Sequence, residues 1–311
     1  MNSVRYYSNG KLLLTGEYLV LDGAEALAVP SKFGQDLTVQ SINNPELIWA
    51  SFTQSGNCWF EARFSLPKLR LTSATFNSNI EGSSEFIAET LQKILQQTRK
   101  LNPNFLNTPN GFIAKTKLTF SRNWGLGSSS TLINNIAEWA QIDPFTLLEN
   151  SFSGSGYDIA CAKNNTPILY QIKEKKPIVK KVNFNPNFKD QLFFVHLNQK
   201  QNSREGIAQY KKVKDKVKQH VTSINDITHR LLICKSINDF GSIIKEHEQI
   251  ISEIIKEKPV KKKLFSDYFG EIKSLGAWGG DFILATGNND TSEYFKNKGF
   301  KTILNYNQMI L

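Results

Sequence analysis

The residues best suited to chemistry lie in FSRNWGLGSSSTLINNIAEWA, residues 120–140, where a glycine-rich turn and three consecutive hydroxyls precede a helical pattern. Leu132, Ile133, Ile136, Ala137 and Ala140 recur at helical spacing, which predicts a helix beginning near Ser128. Glycines at a helix entrance let a ligand approach the backbone. The unpaired N–H groups of the first turn and the positive end of the helix dipole then favour an anion. The hydroxyls add donors, and one could reach a metal ion bound to phosphate oxygens. The pattern differs from the usual P-loop because no lysine follows the glycines. A Gly/Ser turn capping an ordinary helix is the competing reading.

Three other stretches carry reactive side chains. In GSGYDIA, Asp158 follows a glycine turn, where a carboxylate can take a proton from a hydroxyl or orient an acceptor; a helix N-cap is the plain alternative. Lys11 opens the apolar run GKLLLTGEYLVL, which also holds Glu17 and Tyr18. Lys200, Ser203 and Arg204, in QKQNSREGI, form a basic segment suited to an anionic substrate or to simple solvation of a helix start.

These residues need a framework. Residues 3–50 read as strands, with Gly10–Leu21 as an apolar run punctuated by Gly16 and Asp22-Gly23 as a turn. Leu47–Phe52 and Cys58–Phe64 read as a hairpin, Thr72–Ser84 as a polar connection, and Ser84–Lys100 as a helix with an apolar stripe. Phe112–Phe120 is the strand that delivers the chain to the glycine turn. Asp143-Pro144 has the form of a helix start, with Asp as N-cap and Pro in the first position. The Asn/Pro-rich stretch Asn183–Asp190 suggests a boundary between domains at 1–185 and 186–311. Beyond it the pattern is strand, helices, strand, turn, strand, helix, strand.

At 311 residues the chain is long enough for two cores, and 40% hydrophobic with 21% charged residues is ordinary globular composition. The three cysteines (Cys58, Cys161, Cys234) lack metal-ligand spacing and point to no disulfide framework. No signal-peptide layout or membrane-length apolar run is present, so a cytoplasmic protein that does not enter membranes is expected. The net charge of +10 suits an anionic partner. The Lys256–Lys263 run lacks interleaved aromatics, so it reads as a solvated helix end rather than a nucleic-acid patch.

Taken in order, GKLLLTGEYLVLDGAEALAVP, GLGSSS, GSGYDIA and LGAWGGDFILATG resemble the four motif regions of the GHMP family of small-molecule kinases, from about Lys11 to Ala285. Within it the likeness is to the mevalonate-pathway branch, phosphomevalonate kinases above all. The resemblance implies an α+β, two-domain fold: a ribosomal protein S5 domain 2-like N-terminal domain that binds ATP, then a ferredoxin-like C-terminal domain. It puts the ATP phosphates on Gly125, Leu126, Gly127, Ser128 and Ser129, with Asn123 and Ser130 flanking them in the same site. Ser129 would touch Mg²⁺, with Glu149 as a further metal ligand. Asp158 and Lys11 match the catalytic pair. Glu17, Tyr18 and Ser155, together with Lys200, Ser203 and Arg204, stand where related kinases meet the acceptor.

The cofactors so implied are ATP and Mg²⁺, the partner is a small anionic substrate, and the protein is expected as a monomer or homodimer. Two departures stand out: Ser121 where the central motif commonly has Pro, and Trp278 in place of a glycine. The second bears on the acceptor pocket. A diphosphomevalonate decarboxylase, a basic RNA-binding protein with an S5-like domain, and a non-catalytic metabolite sensor are the alternatives.

Overall fold

The computed structural model describes residues 3–77, 84–152, 154–199, 203–212, 217–276 and 278–311; Ser203 and Arg204 are described by backbone alone. The chain forms two compact units. One takes the chain up to Gly10 with Phe33–Arg122 and Gly127–Lys163, and the other takes Lys11–Lys32, Asn123–Leu126 and Asn164–Leu311. This differs from a single cut at 185/186. The reason is that strands β1 (Ser3–Leu13) and β2 (Ala26–Ile42) are long enough to contribute to both.

The first unit adds β3 (Glu46–Phe52), β4 (Cys58–Ser65), β5 (Arg70–Phe76), α1 (Ser84–Leu101), β6 (Gly111–Leu118), α2 (Ser128–Ala140), α3 (Pro144–Ser151) and α4 (Tyr157–Lys163). Its sheet runs β5-β4-β3-β6-β2, antiparallel except for the β3–β6 pair. A parallel neighbour needs a crossover, and β4, β5 and α1 supply it. Helices α1, α2 and α3 pack on one another, and α4 packs on α2. Alternation along the strands turns Leu37, Val39, Leu47, Trp49, Phe60, Ala62 and Phe64 inward, against Leu91, Ile94 and Leu95 of α1 and Ile133, Ile136 and Ala137 of α2. Asp143 caps α3 as expected, its Oδ2 accepting from the Thr146 amide at 2.8 Å, with Pro144 beginning the helix.

In the second unit β7 (Ile168–Lys173) pairs with Ala26–Ala28 of β2 and with β8 (Lys176–Lys181). There follow β9 (Leu192–His196), α5 (Ser203–Lys211), α6 (Lys218–Ile233), α7 (Ile237–Ile255), α8 (Val260–Leu264), β10 (Ile272–Ser274), β11 (Phe282–Thr286), α9 (Thr291–Asn297), β12 (Ile303–Asn305) and α10 (Tyr306–Met309). The four strands β9 to β12 form an antiparallel sheet in the order β10-β11-β9-β12. Counted within this sheet, that is 2-3-1-4 with helices after the first and third strands, the ferredoxin-like arrangement expected. Two lysines of the 256–263 run form ion pairs, Lys261 with Glu271 and Lys263 with Glu257, each at 3.0 Å.

Two local expectations fail. The run Gly10–Leu21 is not one strand: β1 ends at Leu13, and Leu19–Asp22 forms a 3-10 turn. Gly16 (φ 86°) and Tyr18 (φ 63°) both take the left-handed region. A Cβ on Gly16 would lie 2.7 Å from that of Ala26, so the chain turns where only glycine fits. The polar connection after residue 70 is partly strand, because β5 is an edge whose residues are mostly exposed.

Candidate functional site

The glycine turn leads into α2 as the pattern predicts. Gly125 (φ 65°) and Gly127 (φ 88°) are left-handed, and Gly127 stands at the N-cap without a side-chain cap. Among the described residues the amides of Ser128, Ser129 and Ser130 donate to no protein acceptor; the first helical bond is Thr131 N–H to Gly127 O at 3.0 Å. The first turn holds no acidic residue. Three unpaired donors at the positive end of a helix, without an acid to satisfy them, suit an external anion.

A polar network within the first unit holds this helix in place. Ser8 on β1 donates to Asn135 Oδ1 at 2.7 Å and accepts from Asn134 Nδ2 at 2.9 Å. Thr131 donates to Gln35 Oε1 at 2.7 Å, and Asn135 Nδ2 to Gln35 O at 3.0 Å. These side chains are buried, so the bonds also satisfy groups that would otherwise be costly. Ser129 is exposed and Ser128 half-buried, whereas Ser130 turns its hydroxyl back to Gly127 O at 2.8 Å. The Ser130 hydroxyl therefore braces the turn, and only its amide remains to offer.

Asp158 is half-buried in the first turn of α4, with Oδ1 accepting from the Ile159 amide at 3.1 Å. Since α4 packs on α2, the carboxylate-bearing helix and the uncapped helix are neighbours in one unit. Ser155 lies half-buried just before α4. Glu149 is exposed in the last turn of α3. Among the described residues no three His, Cys, Asp or Glu side chains gather as a metal site.

In the second unit Lys11 grips the segment before the helix: its amide donates to Leu126 O and its Nζ to Gly125 O, both at 3.0 Å. Asn123 is exposed, and its carbonyl meets His196 Nε2 at 3.0 Å. Gly125 has no room for a side chain, since a Cβ there would lie 2.2 Å from the Asp281 carboxyl carbon. Neither His196 nor Asp281 was singled out from sequence; the GGD string was a signal for the second, and nothing local marks the first.

Glu17 and Tyr18, expected at the acceptor, lie instead in the interior of the second unit. Glu17 is 1% exposed, with Oε1 2.5 Å from Lys273 Nζ and Oε2 3.1 Å from His247 Nε2. The same Nε2 lies 3.1 Å from the Gly16 amide, which donates to it, so the imidazole is neutral with its proton on Nδ1. Burial would push the Glu17 carboxyl up, but the Lys273 ammonium holds it at about 2. Burial, and then Lys273, push His247 below its ordinary value, in keeping with the neutral ring. Glu248 completes the cluster: Ser274 donates to its Oε2 at 2.9 Å, and Lys273 is 3.8 Å from its Oε1. Burial raises it to about 7 against the pull of Lys273.

The Tyr18 ring is stacked on Tyr210 with centroids 5.6 Å apart, and Tyr210 donates to Asp22 at 2.6 Å. Gly206 leaves space for the Tyr18 hydroxyl, which would lie 2.4 Å from a Cβ there. Both residues thus anchor the turn after β1. Lys200 lies outside the described residues, and Ser203 and Arg204 fall in the first turn of α5. Trp278 is buried at φ 58°, and among the described residues its Nε1 has no hydrogen-bond partner.

No protein-family model matches the chain, and no curated protein matches it. Solved structures do. Methanococcus jannaschii mevalonate kinase is similar at a TM-score of 0.68 and 16% identity, over 98% of each chain. Streptococcus pneumoniae phosphomevalonate kinase, in complex with phosphomevalonate and AMPPNP, aligns at 0.67 and 15%, over 98% of this chain and 100% of its own. Lactococcus lactis galactokinase, complexed with galactose, aligns at 0.66 and 12%, over 96% and 89%. The mixed α+β fold of these kinases is therefore the fold of this chain.

Proposed function

We propose that this chain is an ATP-dependent kinase of the GHMP type that phosphorylates a small mevalonate-type acceptor, with phosphomevalonate favoured over mevalonate. The observation that carries the reading is the uncapped start of α2. Its three unpaired amides follow left-handed glycines on a helix held by buried hydrogen bonds. Phosphoryl transfer depends on positioned donors and neutralised charge more than on covalent help. The shared fold supports the reading, and the structures named above lend it acceptors to test.

In this proposal the nucleotide phosphates lie on the amides of Gly127, Ser128, Ser129 and Ser130, with Asn123, Gly125 and Leu126 shaping the approach. The acceptor hydroxyl attacks the terminal phosphorus, its proton passes to Asp158, and the bond to the bridging oxygen breaks to release ADP. Lys11 offsets negative charge on the transferring group. Ser155, Lys200, Ser203 and Arg204 are proposed to meet the acceptor. Mg²⁺ would arrive with the nucleotide, since the described residues build no metal site of their own. The exposed Ser129 hydroxyl suits it, with Glu149 a further ligand, and phosphate oxygens supply the remaining donors. The ion would neutralise phosphate charge.

The test is ADP release with mevalonate, phosphomevalonate and diphosphomevalonate, run beside Asp158→Asn. Turnover with one of the first two, lowered at least ~100-fold in the variant while nucleotide still binds, is expected. Release of CO₂ from diphosphomevalonate would assign a decarboxylase instead. Undiminished turnover in the variant would remove Asp158 from its role.

A further inference from the structure

Glycine gives the turn before α2 its shape but cannot hold it. Gly125 and Gly127 reach their left-handed conformations without strain, and for the same reason they leave them readily. A loop that is to meet a charged ligand without reorganising needs support from outside. In the second unit that support reaches three points between residues 123 and 126. Asn123 O meets His196 Nε2, Gly125 O meets Lys11 Nζ, and Leu126 O meets the Lys11 amide, each at 3.0 Å.

The His196 bond has a fixed sense. Asn198 N–H donates to His196 Nδ1 at 3.2 Å, so Nδ1 is the acceptor and the proton resides on Nε2, which donates to the Asn123 carbonyl. The ring is nearly buried, 5.1 Å from that of Phe282 and 6.4 Å from that of Trp124. Trp124 itself meets Phe282 edge-on at 5.5 Å and 89°. Residues 123 and 124 are thus fastened to the ends of β9 and β11 by one hydrogen bond and one aromatic wedge.

Peptide planarity converts this fastening into aim. In a trans peptide the N–H points opposite to the carbonyl of the preceding residue. Holding the carbonyls of Asn123, Gly125 and Leu126 therefore fixes the directions of the Trp124, Leu126 and Gly127 amides. Asn123 is an exposed residue, so water could serve its carbonyl and satisfying that oxygen does not require a histidine. What the histidine adds is direction.

We propose that His196, acting with the Trp124–Phe282 contact, is a positioning residue that sets the orientation of the nucleotide-phosphate turn. It rests on the nucleotide reading above. The test compares wild type with His196→Phe, which keeps a ring and loses the donor, and His196→Gln, whose amide can still donate to Asn123 O. AMPPNP binding is measured by calorimetry with Mg²⁺, alongside Tm, and KM for ATP and kcat are measured with whichever acceptor turns over.

His196→Phe is expected to weaken AMPPNP ~10-fold and raise KM for ATP in parallel, the scale of one lost hydrogen bond, with kcat changed less than about threefold. His196→Gln should recover affinity to within about threefold of wild type. If His196→Phe binds as wild type does, or if the glutamine variant is as weak as the phenylalanine one, the positioning role is overturned. Loss of affinity that follows the loss of Tm in both variants would also overturn it. If wild type itself does not bind AMPPNP, the nucleotide reading falls and this inference with it, a result distinct from the others.

Discussion

Replacing Glu248 by glutamine probes the buried cluster beneath the turn after β1. Among the described residues Lys273 supplies the one strong cation there, and it lies 2.5 Å from Glu17 but 3.8 Å from Glu248. One ammonium cannot fully serve two buried carboxylates, and the farther one retains its proton to about 7. The sign follows from linkage. A carboxyl raised from 4.5 to about 7 contributes stability that is present in full below pH 4.5 and is lost as pH rises through 7. That interval corresponds to about 3 kcal/mol at about 1.4 kcal/mol per pH unit. Glu17, held at about 2, acts in the opposite sense: its contribution is present above pH 4.5 and lost on acidification towards 2. Glutamine at 248 keeps the shape and cannot ionise. Urea unfolding at pH 5, 6, 7 and 8 should therefore show the variant gaining on wild type as pH rises, by on the order of 3 kcal/mol across the series. Burial makes the effect insensitive to added salt. An offset between the two proteins that stays constant from pH 5 to 8 would refute the argument, because it would mean that Glu248 does not change charge in that range.

Two further substitutions have defined outcomes. Gly125→Ala puts a side chain at φ 65° against the Asp281 carboxylate. At about 1–2 kcal/mol for the left-handed conformation alone, AMPPNP should bind ~10-fold or more weakly by calorimetry, and wild-type affinity would contradict the close packing. Asp143→Ala removes the cap that accepts from Thr146 and should lower stability in urea by about 1 kcal/mol, without changing nucleotide affinity.

How much could be read from the sequence depended on how local the cause was. The start of α2 at Ser128, the Asp143 cap and the hairpin of β3 and β4 follow from neighbouring residues, and all appear where expected. The ferredoxin-like unit was implied by the resemblance to GHMP kinases, and the order strand, helices, strand, strand, helix, strand is compatible with it. The burial of Glu17 has no local signal because it is decided by Lys273, 256 residues away, and by His247. The 3-10 turn at Leu19–Asp22 was hidden in an apolar run that reads equally well as strand; what breaks it is the contact between Gly16 and Ala26. His196 gave no local sign because its partner carbonyl belongs to a distant turn. Strand β5 was missed since an exposed edge needs no apolar alternation.

The interleaving of the two units along the chain constrains how the protein is made. All of the first unit lies before residue 164, so its core can close while the ribosome is still at work. Residues 11–32 cannot join their own unit at that stage, because most of it has not been synthesised. Throughout that interval the Glu17 carboxylate has neither Lys273 nor His247 and must stay in water, since an unpaired charge cannot be buried. Cutting the gene after residue 163 would keep the first unit whole and leave the second without residues 11–32 and 123–126. A second unit expressed alone from residue 164 would hold Lys273 and His247 without the Glu17 carboxylate they enclose.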